Sequence, residues 1–347
     1  MNSKIRVAVA LSGGVDSAVT ALLLIEKGYE VFGITGKMTC DEASQDIISN
    51  AKKVADKLNI EHYVLDVSQD FNQEIIKYFE NSYKNGLTPN PCIICNKQIK
   101  WGKIFDYAIK ELNCNYIATG HYANINNQGG IYKLFPASDE HKDQLYFLFM
   151  LSQEHLSKTL FPLSNYTKQE VRELAIQHDS PPKSAKESQD ICFIKYPMTT
   201  KKYLNNIFRP QKGNFIEQST GKILGKHDGF WQYTIGQRKG IGLAAPEALY
   251  VTQIDAKTNS VYVGYKNDLE TDKLILKNIN WSYPNNNKDF EALVKIRYNM
   301  QAVRANVKYN NNFWEIKFAQ KVSGIAPGQA CVLYDINDKH LLGGSFI

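Results

Sequence analysis

The stretch Ser12-Gly13-Gly14-Val15-Asp16-Ser17 constrains the fold more than any other part of the chain. The apolar run 5–10 before it is typical of a buried strand, and the pattern over 18–27 after it is helical, with Gly28 as a stop. Glycines at a strand-to-helix turn let backbone N–H groups approach an anion, and the helix N-terminus adds partial positive charge. The sequence therefore predicts a phosphate-binding turn directly after the first strand.

Asp16 adds a carboxylate to this turn, and a carboxylate beside polyphosphate indicates a Mg²⁺ partner that binds through the nucleotide. The turn lacks the Gly-Lys-Ser/Thr ending of the common nucleotide loop and the third glycine of the dinucleotide fingerprint. Two glycines alone would fit a turn without function, but all six residues together favour a nucleotide site. They resemble the pyrophosphate loop of the ATP pyrophosphatases, which split ATP to AMP and pyrophosphate while adenylating a substrate oxygen.

Length and composition limit the class of protein. A chain of 347 residues with 43% hydrophobic residues suggests two or three domains with real cores. There is no apolar run of about 18 residues, so no membrane span is expected, and the first strand begins too early for a signal peptide. Six scattered cysteines do not fit a disulfide scaffold, so we expect a cytoplasmic protein with reduced thiols. The net charge of +6 is compatible with a polyanionic partner but does not by itself indicate one.

Alternating strand and helix patterns predict a doubly wound parallel α/β sheet at the N-terminus. The predicted strands lie at 30–34, 62–67 and 116–121, and the predicted helices at 47–58, 71–83 and 99–112. Ligands of such sheets bind at the carboxyl ends of the strands. Because Ser12, Gly36 and Gly120 fall at these ends, we expect them to converge on one nucleotide.

Cys92 and Cys95 have the two-residue spacing of redox pairs and metal ligands, although two buried cysteines by chance would look the same. Their segment 88–97 contains two prolines and predicts a rigid loop, followed by a helix near Asn96. A helix N-terminus lowers a thiol pKa, so the sequence predicts a thiolate here. Cys192, which follows a polar run, takes part only if the fold brings it to the other two. The remaining cysteines, which we expect to be structural, are Cys40, Cys114 and Cys331.

The pattern changes towards the C-terminus. A helix with a Thr167–Glu170 capping box is predicted over 167–178, and the segment 181–186 is predicted to be flexible and basic. From about residue 206, short strands and frequent glycines predict a β-rich domain, followed after about residue 269 by a small antiparallel barrel. Lys and Arg alternate with apolar residues along the barrel strands, which fits either ordinary solvated surface or an RNA-binding face.

Together these motifs resemble the tRNA-specific 2-thiouridylases over nearly the whole chain. The segments that carry the resemblance are 12–17, 90–97, 118–122, 142–144, 188–194, 233–242, 327–329 and 342–344. The resemblance implies ATP-dependent 2-thiolation of the wobble uridine, position 34, in tRNAs of the Lys, Glu and Gln type. It also implies an ATP pyrophosphatase domain over 1–205, a central β-rich domain over 206–268 and a tRNA-binding barrel over 269–347. We further expect a monomer that receives sulfur from a sulfur carrier or a cysteine desulfurase.

The same resemblance assigns roles to single residues. Cys95 would be the nucleophile and Cys192 the persulfide carrier, the two ending as a disulfide. The implied ATP site comprises Ala10, Leu11, Ser12, Gly13, Gly14, Val15, Asp16, Ser17, Gly36 and Gly120, where Met38 is an alternative to Gly36. The implied base and tRNA contacts are Asn90, Pro91, Cys92, His121, Lys142, Asp143, Gln144, Arg297, Tyr298 and Gln329.

Cys92 departs from the commonest family pattern, which has aspartate at this position. A second thiol could relay a disulfide, or Cys92, Cys95 and Cys192 could hold three irons of a 4Fe-4S cluster. Both the persulfide route and the cluster route are therefore open. Two other classes also share features with this chain. A different pyrophosphatase-loop synthetase would not need Cys95 and Cys192, and a non-catalytic RNA-binding protein would not need the intact turn.

Overall fold

The fold is taken from a computed structural model that describes residues 4–178, 191–285 and 287–347. Its N-terminal part contains a five-stranded parallel sheet with the order β3-β2-β1-β4-β7, which confirms the predicted doubly wound sheet. A separate hairpin, β5–β6, was not predicted. The strands are β1 (Arg6–Ala10), β2 (Glu30–Lys37), β3 (His62–Asp66), β4 (Tyr116–Ala118), β5 (Asn124–Gln128), β6 (Ile131–Phe135) and β7 (Thr159–Leu160).

The helices surround this sheet. The N-terminal ones are α1 (Val15–Glu26), α2 (Glu42–Leu58), α3 (Ser68–Phe71), α4 (Lys77–Lys84), α5 (Pro91–Cys95), α6 (Gln153–Ser157) and α7 (Lys168–Gln177). Three π-helical segments interrupt the α-helical pattern, at Asn72–Ile76, Asn96–Ile104 and Tyr107–Glu111. Thr167 caps α7 and Glu170 completes the capping box, as predicted. The predicted basic segment 181–186 and the polar run 188–190 lie outside the described residues.

The cysteine segment differs from its prediction. We expected a loop up to Asn96, but the helix already begins at Pro91, which occupies its first position. Proline fits there because its missing N–H would have no partner in the first turn, and its fixed φ suits the helix. Cys92 and Cys95 therefore lie three residues apart on one helix, so their side chains share a face.

The central part follows α8 (Thr200–Ile207) and contains a four-stranded sheet with the order β10-β11-β8-β9. Its strands are β8 (Gly213–Glu217), β9 (Ile223–His227), β10 (Tyr250–Asp255) and β11 (Ser260–Gly264). The predicted hairpin of β10 and β11 is confirmed as an antiparallel pair.

The C-terminal part is a seven-stranded antiparallel sheet with the order β12-β16-β15-β14-β17-β18-β13. Side chains from the edge strand β12 and from β18 contribute to one shared core, as expected when a sheet curls into a barrel. The strands are β12 (Glu270–Leu276), β13 (Asn280–Trp281), β14 (Asp289–Lys295), β15 (Val303–Asn310), β16 (Phe313–Ser323), β17 (Ala330–Tyr334) and β18 (Leu341–Phe346).

Five cations on the barrel strands are paired with carboxylates of neighbouring strands. The pairs are Lys273–Glu315, Arg304–Glu291, Lys308–Asp289, Lys317–Asp272 and Lys321–Glu270. These contacts favour the ordinary solvated surface among the two interpretations of the strand pattern. Sequence alternation could not show this, because the acidic partners lie on other strands.

The barrel packs directly on the N-terminal part. Buried residues of β17 and β18 belong to the same apolar cluster as Tyr146 and Phe149. The Tyr146 hydroxyl donates to the Ala330 carbonyl at 2.9 Å, and the Asn280 amide donates to the Phe149 carbonyl at 2.7 Å. No helix within the described ranges is long and apolar enough to cross a membrane.

This junction leaves no room for a side chain at Gly344. A Cβ there would lie 2.8 Å from Phe149 Cγ and 3.0 Å from the Cys331 carbonyl oxygen. We therefore expect Gly344→Ala to lower the free energy of unfolding by about 1–3 kcal/mol through overpacking. Thermal and urea denaturation of the full chain measure the change. Ser345→Ala, the neighbouring half-buried position, is the control and should stay within about 0.5 kcal/mol; equal melting of both variants would contradict tight packing here.

Candidate active site

The glycine turn connects β1 to α1 as predicted. Gly14 is the N-cap of α1 and provides no side-chain cap, so the first N–H groups of this 12-residue helix have no capping oxygen. Inside the turn, the Ser17 hydroxyl donates to the Gly14 carbonyl at 3.0 Å and accepts from the Ser12 N–H at 3.2 Å. The turn is thus held by its own serines, while the helix N-terminus stays available to an anion.

Two glycines bring other segments into contact with this turn. Gly13 has φ of +72°, and a Cβ there would lie 2.7 Å from Asn50 Cβ on α2. Gly120, directly after β4, lies so close to α1 that a Cβ would be 2.9 Å from Asp16 Cβ and 3.1 Å from the Ser17 nitrogen. Since β1 and β4 are neighbours, their carboxyl ends form the crevice where ligands of doubly wound sheets bind.

Gly36 lies at the same edge of the sheet, on the other side of β1. Ile34 pairs with Ala10 at the end of β1, so Gly36 extends two residues beyond that strand. A Cβ on Gly36 would meet Ile104 Cδ1 at 2.9 Å and Met38 Cε at 3.0 Å. Gly36 and Met38 are therefore neighbours, and the structure keeps both as candidates for the nucleotide site.

Asp16 has a partner that sequence analysis missed. The Lys168 ammonium lies 2.7 and 2.8 Å from its two carboxylate oxygens, and the Tyr122 hydroxyl donates to Oδ1 at 3.0 Å. Lys168 is only 9% exposed and opens α7, 152 residues away in sequence. No local pattern connects two residues so far apart. In this arrangement both carboxylate oxygens of Asp16 contact the Lys168 ammonium.

The three candidate cysteines differ in exposure. Cys95 is 9% exposed, whereas Cys92 and Cys192 are exposed, and all three are free thiols. Burial raises the pKa of Cys95 to about 12, and it also raises the pKa of Cys92 and of Cys192. The prediction that a helix N-terminus lowers a thiol pKa at this site is therefore wrong for the described arrangement. Cys95 lies at the end of α5 rather than at its start, and desolvation exceeds the helix effect.

The fold brings Cys192 to the other two cysteines. After burial, the neighbouring Cys192 and Cys92 thiols further raise the pKa of Cys95, which indicates that the three lie near one another. The Cys192 segment is held by Phe193, whose ring contacts those of Phe71, Phe79 and Tyr203 at 5.3–6.0 Å. Lys195 adds an ion pair with Asp41 at the N-cap of α2.

A short bridge connects the cysteines to the glycine turn. His121 follows Gly120, and its Nε2 lies 3.4 Å from the Lys100 ammonium. Lys100 in turn acts on all three thiols. Burial and this lysine hold the pKa of His121 well below its usual value, so the ring is neutral. Its Nδ1 forms a 2.7 Å hydrogen bond with the Thr119 hydroxyl. Gly120 lies against the nucleotide turn, and His121 contacts Lys100. These two consecutive residues therefore connect the nucleotide turn to the thiol cluster.

The predicted tRNA contacts gather at the junction of the three parts of the chain. Gln329 donates from Nε2 to the Thr88 carbonyl at 2.9 Å and so positions the segment that leads to Asn90 and Pro91. The Arg297 guanidinium donates to the carbonyls of Ile235 and Gly324, at 2.7 and 2.6 Å. Arg297 thereby connects the central part to the barrel, and its buried Nε has no partner within the described residues.

The segment Lys142–Gln144 is also fixed by internal contacts. Gln144 accepts from the Tyr122 N–H at 3.0 Å, and the Tyr298 hydroxyl donates to the Asp143 carbonyl at 3.1 Å. Burial raises the pKa of Asp143 to about 6. Asn96 donates to the Phe147 carbonyl at 3.0 Å and ties the cysteine helix to this segment. Several polar groups of the predicted contacts therefore already have partners inside the protein.

A compact single-ion site is not preformed at the cysteines. Within residues 4–178, 191–285 and 287–347, the one group of three ligand atoms all within 4.8 Å of one another is Asp335, Asp338 and His340. In this group, His340 forms hydrogen bonds with Asp338 through Nδ1 and with the Tyr283 hydroxyl through Nε2, so both ring nitrogens have partners. Cys92, Cys95 and Cys192 would need to approach one another more closely to bind one zinc ion.

Three family profiles cover most of the chain. Residues 5–196 match the tRNA methyl transferase HUP domain, 201–265 the tRNA methyl transferase PRC-barrel domain, and 271–347 the aminomethyltransferase beta-barrel domain. These matches agree with the parallel sheet, the central sheet and the antiparallel barrel.

Curated relatives match over the full length. The tRNA-specific 2-thiouridylase MnmA 1 of Fusobacterium nucleatum is 42% identical over 100% of this chain and 94% of its own length. The tRNA-specific 2-thiouridylase MnmA of Trichormus variabilis is 40% identical over 98% of this chain and 97% of its own length. Among solved structures, the U34-tRNA thiolase NcsA from Methanococcus maripaludis with its [4Fe-4S] cluster is 23% identical, with a TM-score of 0.37, over 55% of this chain and 61% of its own. A TM-score of this size supports no conclusion about the site.

The Asp16–Lys168 pair gives a testable expectation. Lys168→Met leaves a partly buried carboxylate without its cation, and we expect the free energy of unfolding to fall by about 1–3 kcal/mol. Urea denaturation of the full chain measures this loss. Lys52→Met is the matched control, because Lys52 forms an exposed i,i+4 pair with Asp56 that contributes at most about 0.5 kcal/mol. Equal losses in both variants would show that the Lys168 contact adds nothing beyond a surface pair.

Proposed function

The chain belongs to the tRNA-specific 2-thiouridylases, and on that premise we propose that it thiolates a tRNA uridine at C2 by a persulfide route. As a tRNA-uridine 2-sulfurtransferase it transfers sulfur to tRNA. The proposal concerns which residues do this and in what order. Its main support is the single connection from the glycine turn through Gly120 and His121 to Lys100 and the cysteines.

ATP first activates the base. The C2 oxygen of uracil is a poor leaving group. When this oxygen attacks the α-phosphate of ATP, pyrophosphate departs and the oxygen becomes part of an AMP group that can leave C2. The turn residues Ala10 to Ser17, with Gly36 and Gly120, would bind the nucleotide. The uncapped N–H groups of α1 would stabilise charge on the departing pyrophosphate. Mg²⁺ is expected to arrive on the phosphates of ATP and to meet the Asp16 carboxylate, which pairs with Lys168 in the protein alone.

Sulfur transfer follows at the cysteines. The terminal sulfur of a Cys192 persulfide attacks C2, AMP leaves, and C2 is joined to Cys192 through a disulfide. Cys95 as thiolate attacks Cys192 Sγ, which breaks that bond, leaves sulfur on C2 and forms a Cys95–Cys192 disulfide. An external dithiol reductant returns both thiols. A sulfur carrier or a cysteine desulfurase would load the exposed Cys192.

The barrel would hold the tRNA. We propose that residues 1–205 carry out the chemistry, that 206–268 form the central β-rich domain and that the barrel over 269–347 binds tRNA in the cytoplasm, with the chain acting as a monomer. The target base, uridine 34 in tRNAs of the Lys, Glu and Gln type, would have to leave its stack to enter the crevice. Contacts to base and backbone would come from the surface that includes Asn90, His121, Lys142, Tyr298 and Gln329.

The persulfide route predicts different failures for the two cysteines. Cys192→Ser should abolish thiolation yet release pyrophosphate in the presence of tRNA. Cys95→Ser should stop after the first attack and accumulate tRNA bound to Cys192, which a reducing agent releases. Mass spectrometry of tRNA nucleosides, a pyrophosphate assay and denaturing gels measure these outcomes.

Cys40→Ser is the control for these variants, since Cys40 is exposed and lies outside the thiol cluster; it should behave as wild type. Thiolation by Cys192→Ser would remove this residue from the mechanism. Release of pyrophosphate without any need for tRNA would instead favour a different pyrophosphatase-loop synthetase.

The cluster route is the second candidate, and Cys92 favours it. In a 4Fe-4S cluster each cysteine binds a different iron, so Cys92, Cys95 and Cys192 need not converge on one point. The bound group would present one iron without a cysteine ligand. Support for this route comes from Cys92 itself, because the resemblance implies an aspartate at this position and the chain has a thiol there.

Anaerobic purification with iron and sulfide analysis separates the two routes. The persulfide route predicts that iron-free protein thiolates tRNA and that Cys92→Asp, which restores the common family residue, keeps activity within about threefold of wild type. The cluster route predicts loss of iron and of thiolation together in Cys92→Ala. Full activity with no detectable iron would exclude the cluster.

A further inference from the structure

Lys168 brings a buried positive charge to the nucleotide turn. Its ammonium lies 2.7 and 2.8 Å from the two carboxylate oxygens of Asp16, and the residue is only 9% exposed. Asp16 is the second residue of α1, and its N–H is one of the donors at the uncapped N-terminus of that helix. The ammonium therefore lies beside the backbone groups that are expected to bind the phosphates of ATP.

The turn itself supplies no cation. In the common nucleotide loop, a lysine within the loop reaches the β and γ phosphates. The segment 10–17 contains neither lysine nor arginine, and its net charge comes from Asp16 alone. A triphosphate bound at this turn would meet a carboxylate of its own sign, unless a positive charge from another element compensates it. Lys168, from α7, is the residue that the fold places on that carboxylate.

Local contacts fix the start of α7. The Lys168 N–H donates to Asp139 Oδ2 at 2.9 Å, and the preceding Thr167 caps the helix. The Tyr122 ring lies 5.9 Å from the ammonium, and the hydroxyl of the same ring donates to Asp16 Oδ1 at 3.0 Å. The lysine is thus held at its backbone, while its charge sits at the end of a flexible four-carbon chain.

Packing between α7 and α1 keeps this lysine at the turn. Val171 and Ala175 of α7 are buried in one apolar cluster with Val19 and Leu23 of α1. Both helices therefore move as a unit, and the base of the Lys168 side chain stays at a fixed position relative to the turn. A change of partner by the ammonium needs only rotation about side-chain bonds.

We propose that Lys168 is a phosphate-binding residue, whose ammonium pairs with Asp16 in the protein alone and contacts the pyrophosphate part of ATP during adenylation. The inference rests on the adenylation step proposed above. There the uracil O2 forms a bond to the α-phosphorus, the bond from that phosphorus to the bridging oxygen breaks, and its electron pair leaves on pyrophosphate. The ammonium would stabilise this growing charge. Since Asp16 is then expected to meet the Mg²⁺ that ATP carries, no buried charge loses its partner.

A lysine that only neutralises Asp16 would behave differently. Its loss would weaken anion binding solely through the uncompensated carboxylate, so removal of that carboxylate charge as well would restore binding. A lysine that contacts phosphate would still be needed after Asp16 has been neutralised. The double variant Asp16→Asn/Lys168→Met, compared with Asp16→Asn, therefore separates the two roles.

Calorimetric titration of the full chain with inorganic pyrophosphate in EDTA measures this contact without metal or turnover. We expect Asp16→Asn to bind pyrophosphate more tightly than wild type, because a like charge is removed. In that background, Lys168→Met should weaken binding by about tenfold, the effect of one lost hydrogen bond to a charged group, and Lys168→Arg should stay within about threefold. Lys168→Gln is the second neutral variant, and circular dichroism confirms that each protein is folded at the assay temperature.

Lys110→Met in the same background is the control for the loss of one positive charge. Lys110 is exposed, pairs with Asp106 at 3.1 Å and precedes β4, at the edge of the sheet opposite the nucleotide turn. Its variant should bind pyrophosphate within about twofold of Asp16→Asn alone, since exposed charges at this distance are screened by salt.

The outcomes separate the phosphate contact from the proposed reaction. Equal pyrophosphate affinity in Asp16→Asn and Asp16→Asn/Lys168→Met would overturn the contact and leave Lys168 as the counter-ion of Asp16. Lack of any pyrophosphate binding by folded Asp16→Asn would count against it equally. A weakened double variant, with rescue by arginine, would support the contact. If wild type then released no pyrophosphate from ATP and tRNA, the adenylation step would fall while the contact remained.

Discussion

The site depends on the close approach of Gly120 to the first turn of α1. β1 and β4 are adjacent parallel strands, and their following segments meet at one end of the sheet. With no side chain at Gly120, the backbone after β4 lies against Asp16 and Ser17, where a Cβ would be about 3 Å from backbone atoms. The next residue, His121, is thereby placed at the border between the nucleotide turn and the cysteines. The absence of a side chain at Gly120 thus sets the distance between the nucleotide turn and the cysteines.

Burial has opposite consequences on the two sides of this border. At the nucleotide turn, the partly buried Asp16 carboxylate is balanced by Lys168 and Tyr122, so the turn presents uncapped N–H groups rather than net negative charge. At the cysteines, burial raises the pKa of the Cys95 thiol and so keeps it protonated, whereas Cys92 and Cys192 are exposed. A protonated thiol is a poor nucleophile, so the burial of Cys95 opposes its reactivity.

Local sequence patterns predicted the elements that local physics determines. The strand–turn–helix at 5–27, the Thr167 capping box and the hairpin of β10 and β11 all follow from periodicity and turn chemistry, and all are confirmed. Asn311 and Asn312, in the Asn-rich run between β15 and β16, have φ of 46° and 68°, which asparagine tolerates better than most residues. The tRNA-binding role expected of the barrel, and most of the expected site residues, come from the resemblance to a family and not from composition or spacing.

Long-range and irregular features were beyond such patterns. Lys168 and Asp16 are 152 residues apart, and the carboxylates that pair with the barrel cations lie on other strands. The π-helical segment that follows Cys95 has no periodicity signal that a helical pattern would reveal, and the α-helical start at Pro91 was also missed. The predicted direction of the thiol pKa shift was wrong for a related reason. The helix N-terminus suggested a lowered pKa, whereas burial, which only the fold defines, raises the pKa of Cys95.

These features give a physical meaning to the thiol at position 92. An aspartate there, one helical turn before Cys95, would place a full negative charge on the face of the helix that carries Cys95. The Cys92 thiol, whose pKa is raised above its usual value, carries no such charge at neutral pH. Exchange of one acidic residue for a thiol therefore removes a negative charge from this face, even before any disulfide or metal chemistry of Cys92 is considered.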